Sequence, residues 1–193
     1  MAERTLELAL SDEEYDRLTD VTDHPEELAR EAVLRRVELA ESVAFTQGGG
    51  FRDPDGSLVA DGETPPPPIG ALVGFDVDHV AGGESRLTLE AGPEHANPMG
   101  TLHGGVLCDL GDAAMGTAYA STLDSDESFT TLELKVNYLR PVWDDRLTAT
   151  GRVVSGGRTV GLVECDVHDE EDRLVARLSS TCLTLRGEQA SGR

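Results

Sequence analysis

Asn97-Pro-Met-Gly-Thr-Leu-His-Gly-Gly-Val-Leu-Cys-Asp-Leu-Gly-Asp112 continues as Ala-Ala-Met-Gly-Thr-Ala-Tyr-Ala-Ser-Thr122, and this stretch decides how the rest of the chain is read. His103-Gly104-Gly105 has no strand periodicity. Val106, Leu110, Ala113, Ala114 and Thr117 recur at helical spacing, so the sequence predicts a glycine-rich turn feeding a helix that begins near Gly104. Two unhindered backbone N–H groups then sit at a helix N-terminus. Its unpaired donors and positive dipole end suit an anion, a phosphate or the oxyanion of an acyl-transfer intermediate. Asp112 lies further along the same helix as the candidate reacting carboxylate, because a carboxylate in an alanine-rich apolar helix is costly to bury without a partner or a task.

The helix is rich in small residues: Gly104, Gly105, Gly111, Ala113, Ala114, Gly116, Ala118 and Ala120. Such residues let sheet side chains approach the helix axis. Around it, period-two runs predict strands at Phe75/Val77, at Leu87/Leu89, and over 129–139, 147–154, 159–167 and 174–185. Ala81-Gly-Gly83, Pro141 to Asp145, Ser155-Gly-Gly157 and Asp169-Glu-Glu-Asp172 are the turns between them. Leu132, Leu134, Val136 and Tyr138 on one strand, and Leu174, Ala176 and Leu178 on another, each form an apolar face for the single long helix to cover. The expected fold is α+β, a curved antiparallel sheet wrapped around one central helix.

Residues 1–47 differ from this. Thr5-Leu-Glu-Leu-Ala-Leu10 alternates like a short strand, and Ser11-Asp-Glu-Glu14 has the form of a helix cap with acids in the first turn. Pro25 opens a second helix. Residues 48–68, with Gly48-Gly-Gly50, Asp53-Pro-Asp-Gly56 and Pro65-Pro-Pro-Pro68, read as a linker, residues 69–186 as the main domain and residues 187–193 as a disordered tail. The strand-helix-helix order resembles the ribbon-helix-helix module of small DNA-binding regulators. Its charge opposes nucleic-acid binding: the segment has thirteen acidic residues against five arginines, and the strand face carries Thr5, Glu7 and Ala9 with no basic residue. A helical appendage that pairs with its copy or packs on the main domain is the expected role.

The whole chain of 193 residues has a formal net charge of -21, and Lys135 is the only lysine among 16 basic residues. Such a surface repels nucleic acid and anionic lipid. It resembles the proteins of salt-loving organisms, and predicts unfolding in dilute buffer. No apolar run reaches the length of a membrane span and the N-terminus has no signal pattern, so a soluble cytoplasmic protein is expected. The three cysteines are widely spaced and odd in number, which fits reduced thiols rather than a disulfide frame or a metal site.

Asn97-Pro-Met-Gly100, His103-Gly-Gly105, Leu110-Gly-Asp112, Thr130-Thr-Leu-Glu-Leu-Lys-Val-Asn-Tyr-Leu-Arg-Pro141, Gly157-Arg158 and Leu174-Val-Ala176 together resemble the hotdog-fold acyl-CoA thioesterases of the PaaI (phenylacetyl-CoA) type, over residues 65–186 or so. The resemblance implies a hotdog fold, a homodimer that pairs further into tetramers, and hydrolysis of acyl-CoA thioesters with no metal and no cofactor beyond the coenzyme A of the substrate. It implies that Asp112 is nucleophile or general base, that Gly104 N–H, with Gly105, holds the oxyanion, that Asn97 helps position the thioester or the attacking water, and that His103 orients the loop or the thioester. Thr131 would place a hydroxyl near the acid. An Asn-Pro turn, a hydrogen-bonded loop histidine and a cross-strand threonine explain the last three residues equally well. Arg140 and Arg158, with Lys135 third, are the candidates to receive the phosphates of coenzyme A.

One distance argues for a dimer independently. Gly104 and Asp112 are eight residues apart on one helix, about 12 Å along its axis, too far to act on one thioester carbon. Antiparallel helices from two subunits would set Gly104 of one chain beside Asp112 of the other. The alternative is a non-catalytic acyl-CoA-sensing regulator, in which the N-terminal module does the biological work.

Overall fold

The computed structural model describes residues 7–47 and 65–190. Ser11 caps α1 (Asp12–Val21) through a reciprocal box, in which Glu14 N–H donates to Ser11 Oγ and Ser11 N–H donates to the Glu14 carboxylate. Then α2 (Pro25–Gln47) opens at the proline the sequence marks. Residues 7–10 take no regular secondary structure, and the other part of the expected first strand, Thr5 and Leu6, lies outside the described residues, as does most of the expected linker. The described end of that linker is packed: Ser42, fully buried on α2, donates to Pro66 O, and the prolines lead directly into α3 (Pro68–Val73).

Six strands follow: β1 (Phe75–Ala81), β2 (Glu84–Ala91), β3 (Ser128–Tyr138), β4 (Asp145–Gly156), β5 (Val160–His168) and β6 (Leu174–Leu185). They form one antiparallel sheet in the order β1-β2-β4-β5-β6-β3, so β1 and β3 are its edges. The β1–β2 hairpin turns on Gly82 and Gly83, at φ +58° and +88°, a left-handed pair that side-chain-bearing residues resist. Between β2 and β3 runs α4 (Gly104–Ala120), the helix expected from the sequence, beginning at the expected residue. The sheet curves round it in the hotdog arrangement.

The core sits between α4 and the sheet. Leu107, Leu110, Ala114, Met115, Ala118 and Tyr119 are buried against Leu87, Leu147, Val163, Val167 and Leu178. Gly151 lets the sheet approach the helix backbone: a Cβ there would lie 2.5 Å from the carbonyl oxygen of Ala114, which already accepts from the buried Ser85 hydroxyl at 2.7 Å. Cys108, Cys165 and Cys182 are all free thiols, and burial pushes the Cys165 thiol up to about 12.

The apolar face expected on β3 is only partly covered. The pairing register with β6 shifts between Thr131 and Glu133, a bulge that turns Leu132 outward. Leu132 and Tyr138 are more than half exposed, whereas Leu134 and Val136 pack on the core. At the other end of the chain, Gly187–Gln189 make a short 3-10 turn, and residues 191–193 lie outside the described residues.

Candidate active site

The turn before α4 is built by its own polar groups. Asn97 Oδ1 accepts from Met99 N–H and Asn97 Nδ2 donates to Thr101 Oγ1, both at 2.8 Å, so both ends of the amide shape the loop over 97–101. Gly100 takes φ +81° at the tip. The amide of Asn97 makes no contact with Asp112 or Thr131. The loop is tied down at its close, where Leu102 N–H donates to Val142 O and His103 N–H donates to His95 O.

His103 is the N-cap of α4. Its Nδ1 accepts from Gly105 N–H at 2.9 Å, and its carbonyl accepts from Val106 N–H at 3.0 Å. With Nδ1 accepting, the neutral tautomer is the one with its proton on Nε2. Gly105 N–H is therefore committed to the cap. Gly104 N–H, at the first helical position, finds no acceptor among the described residues. Of the first three amides of the helix it is the one left to bind a ligand.

Asp112 is two turns along, on the flank of α4 that faces β3. It is half-buried and accepts from the Thr131 hydroxyl at 3.3 Å. Burial pushes its carboxyl above the ordinary aspartate range; the Thr131 hydrogen bond works against this, and the nearby charge of Asp109 adds to it. The result is a carboxylate more basic than a solvated one, on a surface that remains open. Asp109, one turn earlier, is exposed.

Edge strand β3 runs antiparallel along this flank. Phe129 lies against Gly116, Thr131 meets Asp112, and Tyr138 lies against Gly104, where a Cβ would be 3.1 Å from the ring and hydroxyl. Tyr138 and Cys108 belong to the site's geometry and were not among the residues expected from the sequence. Cys108 stands four residues from both Gly104 and Asp112, a spacing that already places it on their stripe.

The structure does not bring the three candidate cations to the stripe by any contact. Arg140, Arg158 and Lys135 are exposed and form no ion pair among the described residues, unlike Arg152, Arg173, Arg177 and Arg186, which pair with carboxylates. Arg140 is nearest in sequence to the helix start, two residues beyond Tyr138.

A family model for the thioesterase superfamily matches residues 99–176, which hold the loop, α4 and most of the sheet. A Saccharolobus solfataricus protein that carries an esterase name is 31% identical over 115 residues, 60% of this chain and 76% of its own length. The chain belongs to the thioesterase superfamily. A medium/long-chain acyl-CoA thioesterase of Escherichia coli is 32% identical over 93 residues, 42% of this chain and 60% of that protein. Among solved structures, a variant of the phenylacetic acid degradation protein PaaI of Thermus thermophilus superposes with a TM-score of 0.56 at 28% identity, covering 60% of this chain and 97% of that one. As a superfamily member the protein is a thioester hydrolase. No helix among the described residues is long and apolar enough to cross a membrane.

Proposed function

We propose that the protein hydrolyses acyl-CoA thioesters to the free acid and coenzyme A, as the Escherichia coli relative's name describes for that protein. The observation that carries this reading is one stripe of α4: an uncommitted Gly104 N–H at its head, and eight residues on a half-buried, basic Asp112 steadied by Thr131. The Gly104 amide holds the thioester oxygen as it gains negative charge. Asp112 either attacks the carbonyl carbon or takes a proton from the attacking water, and the coenzyme A thiolate leaves. His103 caps the turn that aims the amide, and Asn97 sets the loop before it. Gly105 contributes through the cap rather than as a second free donor. Arg140, Arg158 and Lys135 receive the phosphates of coenzyme A, which enters as part of the substrate; the scheme uses no other cofactor.

The two halves of the stripe serve different sites. They are about 12 Å apart along the axis, so the amide of one subunit acts with the carboxylate of another. The free edge of β3 supports this reading, since strand pairing across it would lay the two copies of α4 side by side and antiparallel. A cytoplasmic homo-oligomer adapted to concentrated salt completes the proposal, with residues 1–47 as a helical appendage to the main domain.

The test is thiol release from a panel of acyl-CoA esters at high salt. Asp112→Asn should lower kcat by about 10²–10⁴. Mixing inactive Gly104 and Asp112 variants should restore roughly one working site in each mixed dimer. Full turnover by Asp112→Asn would remove the reading.

A further inference from the structure

Tyr138 ends β3, where its backbone pairs with the buried Ala176 of β6, so its position is set by the sheet. From there its hydroxyl reaches the first turn of α4 and donates to Gly104 O at 3.1 Å. The Tyr138 hydroxyl oxygen also lies 3.1 Å from Cys108 Sγ, one turn further along α4. A phenol oxygen can accept and donate at once, so the contacts form a relay, Cys108 S–H to Tyr138 O–H to Gly104 O. A phenol is protonated and a donor at neutral pH, and the contact with Cys108, then burial, pushes the Tyr138 hydroxyl up further, to about 12.

The opposite end of that peptide group is also held. Gly104 O and Gly105 N–H belong to one peptide plane, and Gly105 N–H is bound to His103 Nδ1. The plane is therefore clamped from both sides, by Tyr138 through its oxygen and by His103 through its nitrogen. The plane before it, which carries Gly104 N–H, is held at its own oxygen, where His103 O accepts from Val106 N–H at 3.0 Å, so with Gly104 gripped between two held planes the direction of its N–H, the donor left uncommitted, is set. First helical turns otherwise fray, having few internal hydrogen bonds. Glycine at 104 gives the ring room to lie on the backbone, since a Cβ would sit 3.1 Å from it.

We infer that Tyr138 is a positioning residue for catalysis, holding the first turn of α4 so that Gly104 N–H stays aimed at the thioester oxygen. The inference rests on the oxyanion role given to Gly104 above. Donation to the reacting oxygen matters most in the transition state, so loss of aim lowers kcat rather than binding.

The experiment compares Tyr138→Phe, which keeps the ring and removes the hydroxyl, with the unaltered protein and with Asp112→Asn. Tyr138→Phe should lower kcat about tenfold, the worth of one neutral hydrogen bond, with KM within about twofold. The acid limb of the pH profile should not move, because Asp112 is untouched. Amide exchange in the segment Gly104 to Cys108 should quicken with no change elsewhere. Unchanged kcat, a rise in KM alone, or unchanged exchange at the first turn overturns the inference. If Asp112→Asn is dead while Tyr138→Phe is fully active, the inference fails and the proposed function stands; full activity in Asp112→Asn sinks that function instead.

Discussion

Thr131→Val removes one hydroxyl at nearly constant volume and should shift the pH dependence of hydrolysis. The hydroxyl donates to Asp112 at 3.3 Å and favours the charged carboxylate, while burial and Asp109 oppose it. A hydrogen bond to a charged group is worth ~1.5–3 kcal/mol, and this one is long and half-exposed, so ~1 kcal/mol is appropriate. With one pH unit equal to about 1.4 kcal/mol, the acid limb of kcat/KM should move upward by somewhat less than about one unit. The sign follows from the chemistry: Asp112 acts deprotonated, its activity appears as pH rises through its pKa, and losing a donor raises that pKa further. Initial rates of thiol release over a pH series give both limb and plateau. If Thr131 only tunes the carboxylate, the plateau stays; if it also holds the attacking water, the plateau falls as well. A limb that stays in place, or moves to lower pH, refutes the electrostatic account of Thr131 in either case.

Three further outcomes follow from the same contacts. Gly151→Ala should destabilise the fold by ~2–3 kcal/mol, lowering Tm by about 5–10 °C in thermal denaturation, because its Cβ would press on the backbone oxygen of Ala114, which cannot turn aside. Asp112→Asn, inactive, should melt above the unaltered protein at neutral pH and alike in acid: a carboxyl whose folded pKa is raised contributes stability that is lost as pH rises through that pKa, and a neutral amide has none to lose. Raising salt from 0.1 to 1 M shortens the screening length from about 10 to about 3 Å, so at a net charge of -21 Tm should rise and KM for coenzyme A esters should fall; a salt-independent Tm would refute the role given to self-repulsion.

The central helix was legible from the sequence because its signals are local. The glycine-rich turn at His103-Gly104-Gly105 and the apolar spacing from Val106 onward act within a few residues, and the helix starts at Gly104, where they place it. The strand runs were legible for the same reason, down to the Gly82-Gly83 turn. What escaped depends on register between distant segments. The bulge at Thr131–Glu133 reverses which β3 residues face the core from that point, and no pattern within β3 announces it. Asn97 is local by contrast: the Asn-Pro turn read from the sequence is present, its amide used at both ends by Met99 and Thr101. Tyr138 sits in a strand that reads only as alternating, and its contact with Gly104 spans 34 residues.

The elements that supply the site explain why it is open. Gly104 and Asp112 lie on the flank of α4 that the core does not use, and Thr131 and Tyr138 come from β3, the last strand of the sheet. Had β3 been an interior strand, a further strand would cover this flank, Asp112 would be deeply buried, and the charged form needed for catalysis would be lost to desolvation. At the edge, the carboxylate is raised in pKa yet still ionises, and Leu132 and Tyr138 are more than half exposed among the described residues. An edge strand with an unpaired ladder and exposed apolar side chains is an unfinished surface in a single subunit. Pairing through it would cover the apolar residues, dry the site enough to strengthen the Gly104 amide, and bring in the second half of the catalytic pair. On that reading assembly comes before activity: dilution below the dimer dissociation constant should abolish turnover while each subunit keeps its secondary structure.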